Sequence, residues 1–222
     1  MTMKEPAQLF RIEPRWPVAL TLLAVILLLA FMPERVGLFP KWLPYVFGIA
    51  IFVPMTAIGL TAGKARWLRI ERTILLLFIV VTAGGTLANL ANLIYVMVRR
   101  SAEIGGAQLL TSSIAVWVTN VLMFSLLYWQ IDRGGPESRV NNASTQPDWL
   151  FPQAGAPEDA PPDWRPTFVD YLFLGFSTAT AFSTTDIMPL TSRAKMLMML
   201  ESTMSLGTIV IVASRAINIL GS

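Results

Sequence analysis

Apolar residues fall in long blocks, several of which approach or exceed the ~20 residues needed to cross a hydrocarbon core of ~30 Å. The first block covers residues 16–32 and is short; a polar turn at 33–40 follows. The second covers 43–62 with Pro54 inside it, a proline that neighbouring helices accommodate in a bilayer. A basic loop carrying Lys64, Arg66, Arg69 and Arg72 leads into a third block at 74–98, which Arg99 and Arg100 end. The fourth block covers 107–131, with Trp117, Tyr128 and Trp129 expected as anchors at the membrane interface.

From 132 to 166 the pattern breaks. Seven prolines, a Gly134-Gly135 pair and an acidic excess predict a long exposed loop without regular structure. Trp149, Phe151 and Trp164 predict that it packs down onto the rest of the chain. Beyond it, 167–182 is apolar or small, which suits a short helix entering the membrane. Residues 194–220 then form a full-length span holding a single acid, Glu201.

Composition agrees with this division: 54% of residues are hydrophobic and 14% charged, which leaves no room for a separate soluble domain. With no cysteine and no histidine, the chain lacks disulfides, thiol nucleophiles, thiolate or imidazole metal sites and any imidazole relay. Enzyme chemistry would rest on carboxylates, lysine or hydroxyls, with only Asp170, Asp186 and Glu201 near membrane depth to form a carboxylate pair, so no enzyme and no cofactor is expected. The net charge of +3 suits basic cytoplasmic loops and calls for no nucleic acid. Lys4, Arg11 and Arg15 precede the first apolar block as in a signal peptide. Ala30-Phe31-Met32-Pro33 offers no small-x-small cleavage pattern, so the block reads as a retained span.

Within the spans, Gly84 with Ala88 and Gly85 with Asn89 have the four-residue spacing of close helix packing. Asn92 and Asn120 read as amides bonding across such contacts. Glu201 lies near the middle of its span, where an isolated carboxylate costs at least ~2.5 kcal/mol. It either faces water or sits neutral or amide-bonded in the packing core.

Residues 173–191 read FLGFSTATAFSTTDIMPLT, and they resemble the pore helix and selectivity filter of two-transmembrane potassium channels. Thr178, Thr180, Asp186, Pro189 and Thr191 coincide with that family's pattern without a gap. Leu200-Glu201-Ser202-Thr203-Met204-Ser205 falls where those channels often carry a Leu-Glu-x-x-x-Gly turn at the inner-helix hinge. Ala181, Ser183, Thr184, Thr185 and Ser205 depart from the pattern, and the filter glycines are absent. The chain is also similar to an uncharacterised bacterial membrane-protein family, through Asn120-Val121-Leu122, the run YWQIDRGGP at 128–136 and Phe168-Val169-Asp170-Tyr171-Leu172.

The resemblance implies an all-α integral membrane protein of the inner membrane, with five transmembrane helices plus a re-entrant pore helix and loop. The alternative is six full spans, a scaffold or small-solute transporter with Glu201, Asn89, Asn92 and Asn120 as its polar interior. Residues 1–131 would form a four-helix region, 132–166 an extramembrane loop, and 167–222 the pore helix, filter-like loop and inner helix. A potassium filter aims successive carbonyls inward, and β-branched Thr185 resists the backbone angles that this needs. The expected pore is therefore cation-permeable without strict potassium selectivity. It is lined by Thr180, Ala181, Phe182, Ser183, Thr184 and Thr185, with Asp186 at the rim and Glu201 and Ser205 on the inner helix. One such segment per chain requires a symmetric homo-oligomer, most simply a homotetramer, set in lipid.

Sidedness conflicts. With the filter outside, five of the 17 Lys and Arg fall inside (Arg35, Lys41, Arg99, Arg100, Arg215), against the positive-inside rule. With the amino terminus inside and the pore segment still re-entrant, the count inverts. The six-span arrangement puts both ends inside and needs no pore.

Overall fold

A computed structural model describes residues 13–30, 40, 42–60, 65–99, 106–140, 146–162, 164–181 and 186–220. Helices dominate it. In chain order they are α1 (Trp16–Ala30), α2 (Leu43–Leu60), α3 (Ala65–Arg99), α4 (Gly106–Ile131), α5 (Pro136–Val140), α6 (Pro152–Gly155), α7 (Phe168–Ala181) and α8 (Ser192–Leu220). Two two-residue strands, β1 (Trp149–Leu150) and β2 (Met188–Pro189), pair antiparallel. Among the described residues, three helical stretches are long and apolar enough to cross a membrane: Arg66–Asn92, Leu110–Gly134 and Ser192–Ser214. Trp16–Ala30 and Leu43–Ile58 are shorter apolar helices.

Helix α4 is the central element, touching α1, α3, α7 and α8, while α2 packs on α1 and α3. Its apolar side chains meet those of its neighbours in one continuous cluster that includes Leu22, Phe78, Met123, Tyr128 and Trp129. Pro54 lies inside α2 as expected. The basic run expected as a loop is helical from Ala65 onward. Ala, Arg, Leu and Glu are strong helix formers, and two of these side chains have fixed partners. Glu71 pairs with Arg15, and Arg72 donates a 2.7 Å hydrogen bond to the Gly134 carbonyl. Of the two small-residue stripes on α3, the Gly85–Asn89 side is buried and the Gly84–Ala88 side is open.

The segment after α4 caps the end of the bundle where α1 and α3 begin. It reverses direction at once: Arg133, Gly134 and Gly135 take φ of 51°, 77° and 106°, behind a 3-10 turn at Asp132–Gly134. Two glycines in the left-handed region make that reversal cheap. Tyr128 and Trp129, expected at the membrane interface, are instead fully buried. Trp149 lies 4.8 Å from Tyr128 between ring centroids, and Phe168 lies edge-on to Trp129 at 6.1 Å. An interface role needs one wet edge; here both indole and phenol find protein partners. The cap also carries short helices and a strand where an irregular loop was expected, with Trp149 and Phe151 buried as anticipated.

Polar groups bind the cap together. Asp132 is fully buried and accepts hydrogen bonds from the Asp148 amide at 2.7 Å and the Tyr171 hydroxyl at 2.5 Å. Arg139 donates to the carbonyls of Trp129 at 2.6 Å and Asp132 at 3.0 Å, and reaches Glu13 at 3.3 Å. Its guanidinium lies 4.8 Å from the Tyr171 ring centroid. Glu13 in turn accepts from the Trp129 indole at 3.0 Å.

Removing the Asp132 carboxylate strands two buried donors, each worth about 1–3 kcal/mol. Asp132→Ala should therefore lower the thermal midpoint in detergent, and by more than Tyr171→Phe, which deletes one donor. Equal midpoints for Asp132→Ala and the parent chain would show that the cap does not depend on this carboxylate.

Candidate functional site

Helix α7 starts at a cap built from its own sequence. The Asp170 carboxylate accepts hydrogen bonds from the Thr167 amide at 2.7 Å and the Thr167 hydroxyl at 2.9 Å, a capping arrangement that fixes where the first turn begins. From there 14 residues extend about 21 Å at ~1.5 Å per residue. Buried Tyr171, Leu174, Thr178 and Ala179 face α4 and α8, while Val169, Phe173, Phe176 and Thr180 form an exposed stripe.

The sequence-predicted pore residues divide at the end of this helix. Thr180 is on the exposed stripe, with its hydroxyl donating back to the Phe176 carbonyl at 2.8 Å. Ala181 is the last residue of α7. Phe182, Ser183, Thr184 and Thr185 lie outside the described residues. Asp186 opens the return arm and is exposed. It lines a cleft of about 740 Å³ together with Phe151, Gln153, Val169, Asp170 and Phe173. Two carboxylates on apolar walls concentrate negative potential, the condition that raises the local concentration of cations.

The return arm comes back to the cap. Trp149 pairs with Pro189 and Leu150 with Met188, and the Leu190 amide donates to the Asp148 carbonyl at 2.8 Å. Buried Asp148 accepts from the Thr191 hydroxyl at 2.6 Å and is held by Arg193. The same Thr191 hydroxyl accepts from the Ala194 amide at 3.1 Å, which makes it the N-cap of α8. Both ends of the segment 168–189 are thus fastened to the same end of the bundle.

Behind α7, Glu201 is fully buried rather than on the exposed face of α8. Its Oε2 accepts a 2.5 Å hydrogen bond from Tyr128 of α4. Its Oε1 is buried with no hydrogen-bond partner among the described residues. Asn120 donates at 3.2 Å to both the Glu201 carbonyl and the Ser205 hydroxyl, the cross-helix amide role expected of it. Ser202 donates to the Thr178 carbonyl at 3.2 Å, tying α8 to α7. The polar inner-helix pair therefore forms a joint between three helices.

Gly175 is the residue of this joint that sequence reasoning missed. A Cβ there would overlap the Ser125 hydroxyl and lie 3.2 Å from the Val121 carbonyl and 3.4 Å from Glu201 Oε1. Only a residue without a side chain lets α7 approach α4 this closely. Asp148 and Tyr171 were also not singled out as functional, because their partners are distant in sequence; the Thr191-to-Ala194 capping spacing was the one local signal.

Gly175→Ala should destabilise the chain by about 1–3 kcal/mol, the usual range for overpacking. Pairing it with Ser125→Ala should recover a large part of the loss, read as thermal midpoints of the two variants. Absence of any recovery would mean that the Ser125 contact is not what Gly175 accommodates. Comparison with family models, curated proteins and solved structures finds no match to this chain.

Proposed function

We propose that the chain is a pore-loop membrane protein of the inner membrane, with five spans (α1–α4 and α8) and a re-entrant α7, assembled as a homotetramer around α8. The observation that carries this reading is the pairing of β2 with β1. A segment that leaves the cap at Phe168 and is back on the cap at Met188 suits a re-entrant hairpin. The six-span scaffold or transporter needs 168–188 to cross the membrane, and the strand pairing counts against that.

In the assembly, residues 180–185 of each copy line the constriction and Asp186 stands at its mouth. Hydroxyl side chains around an axis suit a partly hydrated passage, and a ring of carboxylates favours cations over anions. Monovalent cations are the expected permeant class. The wide exposed face of α8, which includes Met199, Thr203, Leu206 and Val210, supplies the apolar wall below. Its span is 33% buried within one copy, against 44% and 56% for the other two long spans. Glu201 acts in this reading as an internal brace behind the pore helix, not as a vestibule charge.

Low-resolution imaging of the protein in nanodiscs should show a four-fold particle, and a monomer or two-fold dimer would overturn the tetramer. In planar bilayers the purified tetramer should carry cation current, and Asp186→Asn should lower conductance or cation-over-anion selectivity. Unchanged currents in that variant would remove Asp186 from the mouth.

A further inference from the structure

The cap end buries or pairs most of its carboxylates and leaves cations outside. Glu71, Asp132 and Asp148 are buried, Glu13 holds Arg139, and Glu137 pairs with Arg15. Around them, Arg66 and Arg69 on the first turns of α3 and Lys195 on the first turn of α8 are exposed. The Arg193 side chain remains 59% exposed while it holds Asp148. Exposed Glu158 and Asp159 lie on the turn after α6, and exposed Asp186 on the return arm, rather than on the spanning helices.

The positions of these cations matter. The candidate spans of α3 and α8 begin at Arg66 and Ser192, so the four side chains sit where hydrocarbon gives way to headgroups. Long cationic side chains there lay their stems on apolar surface and reach phosphate with their heads. Each one near an anionic leaflet adds attraction. The whole chain is biased the same way. Of its 17 Lys and Arg, only Arg35, Lys41, Arg99, Arg100 and Arg215 belong to the α1–α2 and α3–α4 connections or the last turns of α3 and α8. Basic residues near span ends favour the cytoplasmic side, and acids weigh little in that bias.

We propose that Arg66, Arg69, Arg193 and Lys195 form a collar that seats on the anionic phospholipid headgroups of the cytoplasmic leaflet. The cap, its cleft and the mouth of the return loop then face the cytoplasm. This rests on the five-span reading, and it reverses the sidedness of the potassium channels that residues 173–191 resemble.

The chain contains no cysteine, so single-cysteine reporters are clean. Glu158→Cys and Met188→Cys in the full chain should react with a membrane-impermeant maleimide in inside-out vesicles and stay unlabelled in intact cells. Labelling of both in intact cells overturns the orientation. Labelling from opposite faces overturns the five-span reading instead, because it separates the cap from the return arm. For the collar, nanodiscs of equimolar phosphatidylglycerol and phosphatidylcholine are followed by native mass spectrometry. Phosphatidylglycerol should be retained about tenfold over phosphatidylcholine. An Arg66→Gln/Arg69→Gln/Lys195→Gln variant, which leaves the Arg193–Asp148 pair intact, should lose that preference. No preference in the parent chain, or the same preference in the variant, overturns the lipid assignment.

Discussion

The burial of Asp132 is the constraint on which the rest of the structure depends. A carboxylate taken out of water is tolerated only when its lone pairs are filled. Here the donors come from places far apart in the chain: the Asp148 amide and the Tyr171 hydroxyl. Asp148 then uses its own carboxylate on Thr191 and Arg193. Two acids thus link the exit of α4, the first turn of α7 and the entry of α8. The left-handed turn at Arg133–Gly135 exists to swing the chain across this point, and Arg139 covers it from the other side. The first turn of α7 and the entry of α8 are thus fastened to the same two acids.

Much of the helical plan was legible because it follows from apolar length. Five apolar blocks became α1, α2, α3, α4 and α8 with boundaries moved by a few residues, apart from the start of α3. The exception is informative: Arg66, Arg69, Glu71 and Arg72 look like a charged loop, yet they favour helix, and Arg15 and Gly134 hold Glu71 and Arg72 there. Hydropathy reports where a membrane begins, not where a helix does. The placement of Tyr128 and Trp129 failed for a related reason. Aromatic residues at a span end usually mark the interface, but that inference assumes lipid outside the helix rather than a folded cap. Glu201 as a packing acid, Gly175 as a close approach and Asp148 as a hub each depend on partners that sequence spacing does not reveal.

The run YWQIDRGGP illustrates how a motif can be structural through and through. Tyr128 donates to Glu201, Trp129 to Glu13, Asp132 accepts from Asp148 and Tyr171, and Arg133 to Gly135 supply the turn. Pro136 then opens α5, where a missing amide hydrogen costs nothing. None of these residues lines the cleft. Their work is to hold α7, so a resemblance carried by this run speaks to architecture and not to chemistry.

What such support accomplishes depends on the loop that follows α7. A filter of inward carbonyls stores backbone strain at several successive positions, and glycines lower that cost. In the proposed pore, which lacks those glycines, recognition would pass from carbonyls to side-chain hydroxyls. Hydroxyl lining asks less of the backbone and more of side-chain placement, which is set by the depth and rotation of α7. Those two quantities are fixed from behind by the Gly175 approach to α4, the Ser202 bond to Thr178 and the Tyr128–Glu201 pair. A buried acid with one oxygen unpartnered among the described residues is an expensive way to join three helices. In the proposed pore, that cost would be offset by holding α7 in one position.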